Sequence, residues 1–241
     1  MLNRLFIIGL LMAALTLFGA CSLGDDDDGD NGESSEEVTA ESVLENAAGQ
    51  WDETDSLHFE LEAEGDSYLD SDRTIRLMSA EGELTRPSSV SATARVNVSI
   101  ATVNVNIIVI GDDAYMTNLV SGDWEAAPDD FDYNPALLFN PDDGLGPIMQ
   151  DIREAELDGT EEINGRSAHR ITGLVTDDQI DDITAGSIEG DDIDVTMWIA
   201  EDNNEVLRLF LSAPNAEDAG ETTWDLHFTD HNQDVTIEAP I

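Results

Sequence analysis

VSATARVNVSIATVNVNIIVIGDDAYM, residues Val90–Met116, alternates apolar and polar side chains almost without a break. Val90, Ala92, Ala94, Val96, Val98 and Ile100 share one parity; Ser91, Thr93, Arg95, Asn97 and Ser99 share the other. Val103, Val105, Ile107 and Val109 resume the apolar parity on a following strand. Period two over this length predicts antiparallel strands with one buried and one solvated face. Parity alone leaves open which face is concave and whether the apolar stripe is packed core or the wall of a binding site.

The same period extends in both directions. SLHFELEAEG and RTIRLMSAEGELTR precede the stretch as strands, and AYMTN and DWEAA follow as short strands around Ser121-Gly122. AELDGTEEINGRSAHRITGLV is a hairpin turning at Asn164-Gly165, a pair that accepts the positive φ angles of a tight turn. IDVTMWIAEDNNEVLRLFLS turns at Asp202–Asn204, and TTWDLHFTDHNQDVTIEAP reads as a last strand pair. Two helices interrupt the pattern. TAESVLENAAGQW has Thr39 or Ser42 as its cap and Val43, Leu44, Ala47, Ala48 and Trp51 near one face; TDDQIDDITAG has Thr176 or Asp177 as its cap. Many strands with few short helices on one side of the sheet make an α+β fold.

The chain begins with a different signal. Arg4 precedes an apolar run from Leu5 to Leu17, and Gly19-Ala20 stand before Cys21, the only cysteine. A charged start, a short apolar run and small residues describe a secretory signal peptide over residues 1–20. The run is shorter than the roughly 20 residues that cross a bilayer. Cys21 resembles the lipidated cysteine of bacterial lipoproteins, with Phe18 where that signal usually has Leu. The resemblance implies acylation of Cys21, and two or three acyl chains suffice for stable anchoring. Residues 22–38 are rich in Asp, Glu, Gly and Ser and too poor in apolar side chains to pack, so 21–38 reads as the anchor and an acidic tether. Asp26, Asp28, Asp30 and Glu37 approach a calcium-loop spacing, but Asn31 replaces the loop glycine. Residues 39–241 are the folded domain.

Fifty-four acidic residues against nine basic ones, with no lysine, give a formal net charge of −45. Such a surface repels nucleic acid and anionic headgroups. It fits a saline habitat or an acid-rich genome. The chemistry-bearing residues are sparse. His227 and His231 lie about 13 Å apart if on one strand, too far for one metal ion. Asp225 and His227 share a strand face without a serine or cysteine nucleophile in a recognisable elbow. No glycine-rich phosphate loop occurs. The reading is of a protein that is not an enzyme, with no metal and no cofactor.

One stretch breaks the polar character of the loops. In DFDYNPALLFNPDDGLGPIM, residues Asp130–Met149, bare apolar side chains lie between two Asn-Pro pairs. Pro135 and Pro141 set the backbone at both ends of a single helical turn. Read from the residues, Leu137, Leu138 and Phe139 either plug the end of the sheet as ordinary core or cover a hollow beneath them.

SAEGELTRP, IGDDAYMTN with SGDWEAAP, FDYNPALLFNPDDGL, INGRSAHRITGLV, VTMWIAEDNNEVLRLFL and the closing VTIEAP run in an order and spacing that resemble the LppX/LprAFG family of cell-envelope lipoproteins. The resemblance covers nearly the whole folded region. It implies a strongly curved antiparallel sheet, an open half-barrel similar in shape to the carriers LolA and LolB, wrapped over a few short helices and enclosing a hydrophobic cavity for acyl chains. On that reading Leu137, Leu138 and Phe139 face the cavity and Ile148 and Met149 begin a second covering helix. Val96, Val98, Val103, Val105 and Ile107 are the lining candidates on the strands. The implied function is a membrane-anchored lipoprotein on the outer face of the cytoplasmic membrane or the cell surface. It carries an acylated lipid or glycolipid within or across the envelope, with an envelope transporter or acceptor protein as partner. The alternative is a surface interaction lipoprotein with a filled core and a protein partner.

Overall fold

The computed structural model describes residues 38–240 except 71, 100, 129, 130, 132, 133, 191 and 215–219. Cys21, the signal peptide, the tether and the calcium-like spacing lie outside the described residues. Helix α1 (Ala40–Asp52) starts where a hydroxyl can stand in for the missing helical acceptors. Thr39 Oγ1 accepts from the Ser42 amide at 3.2 Å, and Ser42 Oγ accepts from the Thr39 amide at 3.1 Å. One face of α1 buries Val43, Leu44, Ala47, Ala48 and Trp51, and each large side chain so buried is worth about 1.5–3 kcal/mol.

Eleven strands follow: β1 (Ser56–Glu64), β2 (Ile75–Thr85), β3 (Ser89–Val98), β4 (Ala101–Ile110), β5 (Asp113–Thr117), β6 (Trp124–Ala126), β7 (Arg153–Ile163), β8 (Arg166–Val175), β9 (Ile193–Ala200), β10 (Val206–Pro214) and β11 (Glu221–Thr229). They form one open, curved antiparallel sheet in the order β6-β5-β4-β3-β2-β1-β11-β10-β9-β8-β7. Every strand pairs with the next in sequence except β6 and β7, which are the two edges, while β1 and β11 pair in the centre. Between the edges runs the connection 127–152, which holds the 3-10 turn Pro135–Phe139 and helix α2 (Leu145–Gln150). Helix α3 (Asp177–Thr184) sits in the β8–β9 connection, capped by Thr176 and Gln179.

The period-two stripes point inward as the sequence predicts. Cross-strand partners Val96 and Val103, Ala94 and Val105, and Ala92 and Ile107 lie on the inner face of β3 and β4. Gly82 stands between Phe59 and Ala92 on the same face; a Cβ there would come within 2.2 Å of the Ser91 carbonyl. The missing side chain lets neighbouring backbones close in where the strands bend. A bulge between Leu77 and Ser79 turns Met78 outward. The tight turn at Asn164-Gly165 is present, with φ of 52° and 81°. Edge strand β7 has two register breaks and exposes Glu154, Glu156, Asp158, Glu161 and Glu162, which discourages pairing with another chain.

The last strand pair expected from TTWDLHFTDHNQDVTIEAP is a single strand. β11 already has β1 on one side and β10 on the other, so no edge remains for a twelfth strand beside it. Asp230 and Asn232 adopt positive φ and turn the chain away. The segment then docks through Asn232 Oδ1, which accepts from the Asp55 amide, and the Gln233 carbonyl, which accepts from Ser56 Oγ. The inner faces of the strands, the helices and the 3-10 turn form one contiguous apolar core. Its buried members run from Ala40 to Phe228, so the unit Glu37–Ile241 carries its own core.

Candidate functional site

The interior between sheet and helices is where the candidate residues meet. Val96, Val105, Ile107, Leu138, Phe139, Ile148 and Met149 are buried members of the core, and Val98, Val103 and Leu137 are half-buried against it. The structure therefore brings together strand residues and loop residues separated by as much as half a hundred positions. In the structure these side chains touch the core on which they close.

The loop is fastened at one end. Asn134 caps the 3-10 turn by accepting from the Ala136 amide through Oδ1. Trp51 Nε1 donates to the Leu138 carbonyl at 3.0 Å. The Arg86 guanidinium donates to three carbonyls, those of Thr54, Phe139 and Trp51, each at 2.8 Å. It also lies 4.5 Å above the Phe139 ring. The Trp51 ring in turn meets Phe139 and Phe228 at 5.3 and 5.4 Å. Burial lowers the pKa of Arg86, and Asp52 and Asp55 partly restore it; it stays charged because a guanidinium does not deprotonate in this range. Phe139 is thus held in an aromatic and guanidinium clamp. Arg86 had no signal in the sequence beyond its place before Pro87, since a single arginine does not announce three carbonyl partners from distant segments.

The opposite side of the loop borders an acidic groove. Between α2 and α3 lies a groove of about 360 Å³ lined by Asp142, Asp143, Asp151, Asp178, Asp181 and Asp182 with Pro147 and Ile148. The hydrogen bond recorded from α3 to the end of α2 is long, from Gln179 Nε2 to the Asp151 carbonyl at 3.4 Å. Like charges across this seam repel. Among the half-covered apolar side chains, Ile75, Val98 and Val103 on β2–β4 and Ile152, Ala155 and Leu157 where β7 begins lie at one end of the sheet, while Ala114 and Ala127 lie toward the other. The register Ile75–Val98–Ala101 and the pairing of Arg153 with Leu174 and of Leu174 with Asp194 place both groups at the same end.

The remaining polar candidates face elsewhere. Asp225 on the outer face gives both oxygens to Arg208 at 2.7 Å, and His227 Nε2 lies 3.4 Å from Asp225 Oδ1. Arg208 and Arg170 bracket the Trp198 ring at 4.4 and 5.9 Å, and Trp198 Nε1 donates to Glu161. His231 is buried instead of paired with His227. Its Nε2 is 3.2 Å from the Val206 carbonyl and its Nδ1 3.7 Å from Glu205, which Arg166 also engages. Among the described residues no cluster of three His, Cys, Asp or Glu side chains is arranged to hold a metal ion.

Comparison with known proteins bears on this geometry. Residues 39–237 match the model of the family described as LppX_LprAFG lipoprotein. The chain is 25% identical over 237 residues to the lipoarabinomannan carrier protein LprG of Mycobacteroides abscessus, covering 98% of this chain and 97% of that one. The crystal structure of LprF from Mycobacterium bovis superposes with a TM-score of 0.65 at 19% identity, covering 83% of this chain and 96% of that one. The lipoprotein LppX of Mycobacterium tuberculosis superposes at 0.59, also at 19% identity, over 83% of this chain and 98% of that one.

Proposed function

The chain belongs to the LppX_LprAFG lipoprotein family, and from that premise we propose that it is a lipid carrier of the cell envelope, anchored to a membrane through Cys21. The observation that carries the reading is the one break in the sheet. Between edge strands β6 and β7 the chain places not a strand pairing but an apolar loop, clamped at Trp51 and Arg86 and bordered by the acidic groove at the α2–α3 seam. Such an arrangement is a lid over an apolar interior, fixed on one side and free to lift on the other. Val96, Val98, Val103, Val105, Ile107, Leu137, Leu138, Ile148 and Met149 are the proposed walls of the acyl-chain site, with Phe139 holding the lid in place.

The energetics suffice without a fuel. Burying a methylene is worth about 0.8 kcal/mol, so a 16-carbon chain gains roughly 12 kcal/mol gross. Separating the core contacts that now close the interior and immobilising the chain subtract from that gain. The similarity to a lipoarabinomannan carrier makes an acylated glycolipid or phospholipid the proposed cargo, handed to or received from another envelope component. Native mass spectrometry of the domain purified from its host tests this. Lipid adducts of acyl-chain mass support a carrier, and lipid-free protein that takes up none from mixed micelles refutes it. The contiguous core favours one competing reading, a filled domain that binds a protein partner, and that reading predicts the lipid-free result.

A further inference from the structure

The described surface exposes four large apolar side chains: Val38, Met78, Leu119 and Val120. Val38 stands just ahead of α1. The other three stand on β2 and on the β5–β6 turn, toward the end of the sheet that holds the half-covered Ile75, Val98 and Val103. Val120 is 97% exposed and Leu119 38%. Their turn is built to hold them there. Asn118 Oδ1 accepts from the amides of Val120 and Ser121 at 2.9 and 3.1 Å. The Asn118 carbonyl accepts from the Gly122 amide, and the Asn118 amide donates to the Asp123 carbonyl. Ser121 Oγ accepts from the Asp123 amide, and Asn118 Nδ2 donates to Glu125. The polar groups of the turn satisfy one another, and the apolar side chains project outward from a hydrogen-bonded base.

Charge is missing from one side of this end, the β3–β4 and β5–β6 turns, while the β1–β2 connection at the same end carries Asp66 and Asp72, and Asp123 closes the β5–β6 turn. No charged residue occurs from Ala114 to Gly122, nor from Val96 to Gly111, in a chain of net charge −45. The β3–β4 and β5–β6 turns both point to this end because β4 and β5 run antiparallel between them. On the outer face, Arg76 and Arg95 flank the outturned Met78 and, together with Glu62 and Glu64, border a groove of about 570 Å³. Neither guanidinium has an ion pair among the described residues, although acidic side chains outnumber basic ones six to one. Exposed apolar tips at the same end as two guanidiniums fit a lipid surface: the tips enter the headgroup layer and the guanidiniums meet phosphates.

We propose that the β2–β6 side of this end docks on a zwitterionic bilayer, with Leu119 and Val120 inserted and Arg76 and Arg95 at headgroup phosphates. The contact brings the end of the interior that holds Ile75, Val98 and Val103 against the membrane. It is a property of the outer surface and is read without reference to any lipid held inside.

The test uses the chain from residue 22 onward, whose folded unit holds its own core and which lacks the only cysteine. A polarity-sensitive fluorophore is attached at Val120→Cys, or at Asp112→Cys in the β4–β5 turn at the far end. Phosphatidylcholine vesicles should shift the emission at 120 to the blue and leave that at 112 unchanged. In vesicle flotation, Leu119→Ser with Val120→Ser should lower the partition coefficient roughly tenfold, with the fold kept, since Val120 is almost fully exposed and Leu119 lies outside the core. Arg76→Gln with Arg95→Gln should weaken binding while keeping the blue shift of the bound fraction. No shift at 120, equal shifts at both sites, or equal flotation of wild type and the serine variant would overturn the proposal. So would an absent shift combined with cross-linking from position 120 to an envelope protein.

Discussion

The indole of Trp51 on α1 donates to the carbonyl of Leu138, a residue 87 positions later, across 3.0 Å of buried space. The bond ties the start of the folded unit to the loop that spans the edges of the sheet. Replacing Trp51 with Phe keeps most of the packing and leaves the Leu138 carbonyl without its donor. The expected cost is about 1–3 kcal/mol, the penalty of an unsatisfied buried acceptor. Trp51→Ala adds a cavity and should cost about 3–5 kcal/mol. Denaturant unfolding measures both, and equal stability of the Phe variant and wild type would show that the bond is dispensable.

Arg86→Lys tests the other half of the clamp. Lysine keeps the charge but lacks the planar fork that reaches three carbonyls at once. Stability should fall by about 2 kcal/mol, and hydrogen exchange of the 3-10 turn should speed up more than that of β1–β3. Uniform acceleration across the sheet would mean that Arg86 supports the fold at large and not the loop.

Val105→Trp separates a wall from a packed core. Against an interior able to open, the indole takes the space of an acyl chain. Lipid extracted per mole should then drop while the delipidated protein melts at or above the wild-type temperature. In a close-packed core the same change overpacks, typically at 1–3 kcal/mol. Bound lipid itself raises the melting temperature by mass action, so the comparison is made after delipidation. A wild type without lipid and a sharply destabilised variant would favour the filled-core reading.

Acid should weaken the junction of β9–β10 with the segment after β11. The side chain of His231 is 4% exposed, and burial lowers its pKa from the ordinary 6.5 against the opposing pull of Glu205. Its neutral form is favoured in the folded state, so the unfolded chain binds more protons just below pH 6.5. Glu205 is also lowered: burial would raise it, but hydrogen bonds from Arg166 and Asn203 and the charge of His231 prevail. Its contribution is full above the ordinary carboxylate range and fades as pH falls through its folded value. Both signs agree, and stability should fall as pH drops from 7 toward 4. His231→Gln should flatten the upper part of that slope. An unaltered slope would assign it to the other carboxylates.

Salt should act oppositely. With 54 acidic and nine basic side chains, repulsion opposes compaction, and 0.1 M salt screens it beyond about 10 Å. The melting temperature of the domain should rise from low to molar sodium chloride. A flat or falling curve would indicate charges already spaced widely enough.

Cys21→Ser should yield protein without diacylglyceryl mass that leaves the membrane fraction. Identical fractionation and unlipidated N-termini in both forms would refute anchoring at Cys21.

The strands were legible because β3 and β4 bury one face only, so burial and period coincide from Val90 to Val109. Each helix cap was narrowed to two candidates by polar residues ahead of apolar spacing, and Thr39 and Thr176 are the ones that cap. The strand order was not. That Leu61 pairs with both Ala80 and Leu226 depends on contacts across most of the chain, and alternation carries no address for a partner. The same ignorance produced the surplus strand after Thr229, whose sequence alternates but whose neighbour positions are taken. The loop's apolar turn was visible, whereas its clamp depends on three carbonyls, which every residue has and no sequence distinguishes.

The number of strands has its own consequence. In an antiparallel run each strand reverses the one before, so β1 and β11, first and last of an odd set, would point the same way if all eleven alternated. They pair antiparallel instead, and the reversal must be missing somewhere. It is missing between β6 and β7: registers traced from either side of the central pair give both edge strands the same direction. Co-directional strands cannot be joined by a tight turn, so the chain from Ala127 to Ile152 must travel back along the length of the sheet. Arithmetic parity thus dictates a long return path beside the open edge, and any family member keeping this strand count and central pairing inherits a segment able to serve as a cover.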